Sequence, residues 1–376
     1  MNYFFKKSTK LSIDMSAYYH PRYSNVVGKR KSKPFRFIIT TLIILIILGG
    51  IAGWQAYTIF LEPNVYTGQK TEVFIQIPTG SNIETVKKEL YSNGIIVHRR
   101  NFELVSKIKK YPASIKPGRY KLTNDMGNFK IVRLLRSGNQ EPLDVIFNNI
   151  RTPEQLAGRI ATQIEADSTS IIGLINNNQF LDSLGVTRNS VFTILIPNTY
   201  EFYWNTSARA FLTRMKRESE TFWSGNREAQ LAKINMNRHE VITLASIVEK
   251  ETNMNDEKAR VAGVYMNRLR QGWLLEADPT LVFAHGDFEM KRVLNIHKEI
   301  DSPYNTYKNR GLPPGPICLP SISSIEAVLK YENHDYMFFC ASDDFSGYHS
   351  FAKTIEQHAV NANRYRAALN RRKIYK

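Results

Sequence analysis

At 376 residues the chain is long enough for two or three domains with their own cores. Hydrophobic residues make up 43% and charged residues 23%, which excludes an intrinsically disordered chain. The net charge of +17 favours polyanionic surroundings: nucleic acid, acidic lipid headgroups or another anionic polymer. No zinc-ligand spacing, RNA-binding signature or P-loop supports nucleic acid, and no cofactor fingerprint or metal-ligand cluster is present. The only two cysteines, Cys318 and Cys340, form no CxxC motif and are expected to be free and buried.

The first predicted element is a membrane span. Residues 37–61 carry no charge, and their core reads "FIITTLIILIILGGIAGW". That matches the ~20 apolar residues a bilayer-crossing helix needs. A cleavable signal peptide has an apolar region of only ~7–15 residues, and this run is longer and ends in Trp54 and Tyr57, which suit an interfacial belt. Arg22, Lys29, Arg30, Lys31, Lys33 and Arg36 precede it, whereas Lys70 is the only base between it and Gly80. The positive-inside rule therefore predicts a cytoplasmic tail over 1–36 and an extracytoplasmic chain after Glu62.

A small α+β module is predicted over 71–140. "EVFIQIP" alternates as a strand does. In "SNIETVKKELYSNG", Ser81 and Glu84 form a capping box, Ile83, Val86 and Leu90 an apolar stripe, and Gly94 a stop. Phe102, Val105 and Ile108 mark a second helix around 101–110, "GRYKLT" reads as a strand, and "NFKIVRLLRSG" as a helix closed by Gly138. Residues 141–376 form a second, mainly helical mixed α/β domain. "PLDVIFNN" opens it as a strand, and "RTPEQLAGRIATQI" follows as a helix with Thr152 as cap, Pro153 at N1 and Gln155 completing the box. The exceptions to helix are a Pro/Gly-rich zone over 301–321 and "YMFFCAS", which reads as a core strand.

"HEVITLASIVEKET" is apolar on nearly every face and should be buried, yet it closes on two acids, Glu249 and Glu251, with the helix end expected near 253–255. At ~100° per residue the two acids point about 200° apart and cannot act as a facing pair. Glu249 shares a face with Ala245, Ser246 and Asn253, whereas Glu251 stacks over Leu244, Ile247 and Val248. Apolar surroundings, the helix C-terminal dipole and a neighbouring carboxylate should all raise the Glu251 pKa. An acid that keeps its proton near neutrality suits glycosidic-bond cleavage. The residues alone equally allow a solvated helix end whose acids pair with Lys250 or Lys258.

Three blocks carry a wider resemblance: "LASIVEKET", "VAGVYMNRLRQGWLLEADPTLVF" and "SPYNTYKNRGLPPGPICLPSISSIEAVL". In order and spacing they resemble the endolytic murein transglycosylases, the YceG-like proteins, over nearly everything after the membrane helix. The resemblance implies an α+β architecture: one membrane helix, a LysM-like module, and a catalytic domain outside the membrane. It implies a single glutamate that cleaves peptidoglycan glycan strands without cofactor or metal, and partners among the wall-synthesis enzymes of the plasma membrane. Glu251, followed by Thr252, matches the Glu–hydroxyl pair of soluble lytic transglycosylases; Glu249 is the reserve. Asp278 and Thr280 of "LEADPTL" and Tyr304, Asn305, Thr306 and Tyr307 of "SPYNTY" are then expected to bind sugar. Two departures stand out. Glu276 and Ala277 replace a Gln and a small polar residue before Asp-Pro-Thr, and Asn198 of "IPNTY" replaces the Asp of "FPDTY".

Overall fold

The structure, a computed structural model, describes residues 32–290 and 292–372. The predicted basic tail lies almost wholly outside them. The chain divides into two units, one ending at Phe60 and the other running from Leu61 to its C-terminus.

The first unit contains α1, Ser32–Phe60. Its stretch Phe35–Phe60, 26 residues long, is apolar enough to cross a membrane. At 1.5 Å per residue it reaches about 39 Å, longer than the ~30 Å hydrocarbon core. Phe37, Leu45, Ile46 and Trp54 are all more than 60% exposed, so this apolar surface is not covered by protein. The helix is a candidate membrane anchor.

The second unit begins with β1 (Glu72–Ile77), α2 (Ile83–Ser92), α3 (Arg99–Ile108), β2 (Gly118–Thr123) and α4 (Asn128–Ser137). β1 and β2 pair antiparallel, with Glu72 opposite Thr123 and Ile77 opposite Gly118. Alternation turns Ile75, Ile77, Tyr120 and Leu122 inward, where Leu90, Phe102, Val105 and Leu135 from the helices meet them. The cap of α2 differs from expectation: Asn82, not Ser81, accepts the Thr85 N–H at 3.0 Å. Asn82 stands three residues before that N–H, the spacing an N-cap side chain spans, and Ser81 stands one residue too early. Ile108 is 53% exposed, because α3 ends there and its stripe closes at Val105. Gly138 takes the left-handed conformation that stops α4 (φ 76°). Thr79 after β1 donates from its N–H and hydroxyl to Glu165 at 2.5 and 2.6 Å, joining this part to the helices that follow.

Next come β3 (Leu143–Ile146), α5 (Pro153–Ala161), α6 (Ser168–Ile175), α7 (Asn178–Leu184), β4 (Thr199–Phe202) and α8 (Ala208–Trp223). β3 and β4 form an antiparallel pair, Leu143 opposite Phe202. Their inward residues build one core with the helices, in which Phe147 stacks on Tyr200 at 5.9 Å. Thr152 caps α5 as expected, but Gln155 reaches the Arg151 N–H at 2.8 Å instead of the cap's own.

The remainder is α9 (Asn226–Ile234), α10 (Arg238–Glu251), α11 (Lys258–Arg270), α12 (Asp278–His285), α13 (Ile322–Leu329), β5 (Phe338–Ala341), β6 (His349–Ala352) and α14 (Ile355–Arg371). α10 is the centre of a second core: every residue from Val241 to Val248 is buried. Asn237 and Glu240 close its N-terminus as a capping box. α11, α13 and the aperiodic segment before α13 surround it. The strand expected at "YMFFCAS" is β5, but it is half-buried, because it pairs only with β6 and packs α14 on one face. Cys340 on β5 is therefore half-buried and Cys318 buried; both are free. The architecture is mixed α+β and mostly helical.

Candidate active site

Glu251 is the last residue of α10. Thr252 turns extended (φ −140°, ψ 140°), and its hydroxyl accepts the Met254 N–H at 3.0 Å, so the helix stops immediately after the acid, earlier than expected. A carboxyl at the C-terminal residue of a helix meets the negative end of the helix dipole, which disfavours its anion. Glu251 lines a cavity of about 490 Å³ together with Asp278, Phe283, Ile317, Arg151 and Lys250. Its Oε1 accepts the Tyr265 hydroxyl at 2.5 Å. Its Oε2 has no hydrogen-bond partner among the described residues.

Burial pushes the Glu251 carboxyl up to about 7 from an ordinary 4.5. The Tyr265 hydrogen bond opposes the rise, the charge of Asp278 adds to it, and Arg268 pulls the other way. The sign and the chief cause agree with expectation, but the neighbouring carboxylate that matters is Asp278, not Glu249. Tyr265 is fully buried on α11, and burial together with the carboxyl beside it holds its hydroxyl well above the usual phenol range. It donates and does not ionise.

Glu249 faces the opposite way, as the helix geometry requires. Its Oε2 meets Lys258 Nζ at 3.1 Å, the Ser321 hydroxyl at 2.5 Å and the Ser324 hydroxyl. Ser321 caps α13, so the carboxylate also sits at that helix's positive end. Burial alone would raise this pKa, but the two serine hydroxyls and Lys258 outweigh it and hold it below the usual range. The pairing with Lys258, allowed for both acids from the sequence, is realised for Glu249 only. One acid is a fixed anion tying three elements together; the other is a half-buried acid facing a cavity.

The remaining predicted site residues fall into two groups. Asp278 lines the cavity, and its Oδ1 accepts the Tyr307 hydroxyl at 2.6 Å. Tyr307 is half-buried, with Lys298 over its ring at 4.5 Å. Tyr304 packs on Phe283 at 4.7 Å, behind the cavity wall. Thr280, Asn305 and Thr306 are fully buried and engaged by the fold. Thr306 Oγ1 accepts the Ala277 N–H at 3.0 Å and pairs with Thr280 Oγ1 at 2.9 Å. Asn305 donates to the Lys298 and Ile300 carbonyls and accepts the Tyr307 N–H. All three side chains are engaged within the protein: Thr306 and Thr280 fasten the 301–307 segment to the start of α12, which carries Asp278, and Asn305 ties that segment to Lys298 and Ile300. Glu276 adopts a left-handed backbone (φ 50°) and meets the buried Arg268 at 3.6 Å, and Ala277 is buried where a polar side chain would need a partner. Asn198 is exposed in a turn, accepting the Thr199 N–H, and lines no cavity around Glu251.

Sequence reasoning passed over Tyr265. The signal was available: a buried tyrosine on an apolar helix face requires a partner for its hydroxyl. It passed over Arg151 as well, whose guanidinium stacks on Phe288 at 4.9 Å and donates to its carbonyl. Nothing local to "NIRTP" points across 137 residues of sequence to that wall.

A cavity wall with one carboxyl whose pKa burial raises to about 7, a tyrosine on one of its oxygens and the other oxygen open, has the features that a general acid–base site requires. Residues 75–364 match the YceG-like family, and the chain belongs to that family. A Bacillus subtilis (strain 168) protein named endolytic murein transglycosylase is 30% identical over 326 residues, which span 82% of this chain and 89% of that protein. A Streptococcus pneumoniae protein (strain D39) of the same name is 28% identical over 86% of this chain, which spans 64% of that longer relative. The crystal structure of a yceG-like protein from Listeria monocytogenes superposes with a TM-score of 0.52 at 31% identity, covering 78% of this chain and 99% of that one.

Proposed function

We propose that the protein is a membrane-anchored endolytic lytic transglycosylase of peptidoglycan, with Glu251 as its only acid and base. The observation that carries this reading is the Glu251 carboxyl held up to about 7 in the cavity wall of a YceG-like chain. Glu251 gives its proton to the oxygen linking MurNAc to GlcNAc. The C1–O bond breaks and an oxocarbenium-like sugar forms. The Glu251 carboxylate then takes the proton of the MurNAc C6 hydroxyl, and that oxygen bonds to C1, leaving a 1,6-anhydro end. No water is consumed and the enzyme recovers its starting protonation. Asp278, fixed by Tyr307, supplies negative charge near the developing cation. Glu249 takes no chemical part. Thr280, Asn305 and Thr306 position Asp278 and touch no sugar.

The α1 helix anchors the enzyme in the plasma membrane with its N-terminus in the cytoplasm and the second unit outside. Residues 71–140 act as a LysM-like module that holds glycan, while residues 141–376 cut it, close to the wall-synthesis enzymes of the same membrane. The cavity also favours one competitor, since Asp278 shares it with Glu251 and could serve a two-carboxylate hydrolase. Mass spectrometry of glycan strands treated with full-length protein decides. Anhydro ends are expected. New reducing ends would show a hydrolase, and uncut strands a glycan-binding scaffold.

A further inference from the structure

A second cavity, of about 310 Å³, meets the first at Glu251. Its walls come from other elements: Asn253 and Met254 after α10, Ser342 and Tyr348 around the β5–β6 turn, and His349 at the start of β6. The turn is held from outside the sheet, because Tyr348 donates its hydroxyl to Asp256 at 3.0 Å. It is held from inside by Glu257, which is only 2% exposed. Glu257 Oε1 accepts the His349 backbone N–H at 2.7 Å, and Oε2 meets His349 Nδ1 at 2.7 Å.

The second of these bonds is what the fold does not need. One backbone bond would fix the strand; the carboxylate also fixes the ring. A carboxylate only accepts, so a hydrogen resides on Nδ1, and in the neutral ring Nε2 is left as an acceptor. Phe339 and Phe351 pack edge-on to the ring at 5.2 and 6.5 Å and restrict its rotation. Nε2 has no partner among the described residues, although the side chain is only 14% exposed. The chain therefore orients one hydrogen-bond acceptor, through a buried carboxylate, in the wall of a cavity that borders the reacting carboxyl.

We propose that His349 is a substrate-binding residue of this second cavity, positioned by Glu257. Its Nε2 accepts a hydrogen bond from a sugar hydroxyl or N-acetyl N–H of the strand, on the side of the cut away from the first cavity. The proposal rests on the glycan-cleaving reading above. The strand then passes over Glu251 with a cavity on each side, and His349 sets its register.

The test measures binding separately from cleavage. Full-length protein carrying Glu251→Gln is titrated calorimetrically with soluble uncrosslinked glycan strands. His349→Asn keeps a donor near Glu257 but ends short of Nε2, and His349→Gln reaches the Nε2 position with its carbonyl oxygen. A neutral hydrogen bond is worth about 1 kcal/mol, so Kd should rise about 3–10-fold in the Asn variant. The Gln variant should recover part of the loss, while thermal melts of the two agree. A structural role would move the melts and give no such rescue. Unchanged Kd in the folded Asn variant overturns the proposal, and so does failure of the parent to bind strands. Cleavage by the unsubstituted enzyme is assayed in parallel. Binding that depends on His349 without anhydro products would sustain this proposal and refute the lyase reading alone.

Discussion

Tyr265→Phe removes one oxygen from the site and leaves the ring in place. That oxygen donates to Glu251 Oε1 at 2.5 Å and pulls the carboxyl's pKa down against burial. A hydrogen bond to a charged group contributes about 1.5–3 kcal/mol, and one pH unit corresponds to about 1.4 kcal/mol. Without the bond, Glu251 should hold its proton about one to two pH units higher than its present value of about 7. The rate falls as the acid loses its proton, so the alkaline limb of the pH–rate profile must move up by that amount. At pH 8 the unsubstituted enzyme should run at about a tenth of its maximum, and the variant at half or more of its own. The assay is the initial rate of anhydro-end formation from pH 5 to 9. A limb that stays in place or moves down would refute the assignment of Tyr265 as the group that tempers this acid.

Three further outcomes follow from the same geometry. Glu251 has a folded pKa above its unfolded one, so it costs stability as pH rises through 4.5 and the full penalty stands above about 7. Glu251→Gln should therefore melt higher than the parent at pH 8, by about 1–3 kcal/mol, and match it at pH 4, as thermal melts would show. Glu249→Gln should do the reverse. It leaves Lys258, whose side chain is 5% exposed, without its counter-charge, at about 3 kcal/mol measured by urea unfolding. The folded fraction of that variant should keep its rate. For topology, a phosphatase fused after Lys376 should be active, and a fluorescent reporter that matures only in the cytoplasm should stay dark there.

What was legible in the sequence was periodicity and helix-end chemistry. The strands at "EVFIQIP", "GRYKLT" and "PLDVIFNN", the Gly138 stop and the opposed directions of Glu249 and Glu251 all follow from local rules, and the structure shows each. What was not legible depended on partners distant in sequence. Whether Glu249 is solvated or tied down is decided by Ser321 and Ser324, more than 70 residues away. Asn305 and Thr306 read as sugar ligands because their polar groups suit that role. The fold engages those groups internally: Thr306 closes the 301–307 segment on Ala277 and Thr280, and Asn305 ties it to Lys298 and Ile300. The half-buried state of β5 has the same origin, since an apolar run does not reveal that its sheet has only two strands.

The most direct test of the central claim counts 1,6-anhydro-MurNAc ends, by mass spectrometry, after sacculi meet equal amounts of folded parent and Glu251→Gln protein. The substituted amide keeps the shape of the acid and can still accept the Tyr265 hydroxyl, but it can neither deliver nor retrieve a proton. Loss of an acid–base group costs about 10²–10⁴-fold in rate, and here one group serves both half-reactions. The account predicts abundant anhydro ends from the parent and a background yield from the variant. A variant that retains most of the parent's yield would place the acid elsewhere and contradict it.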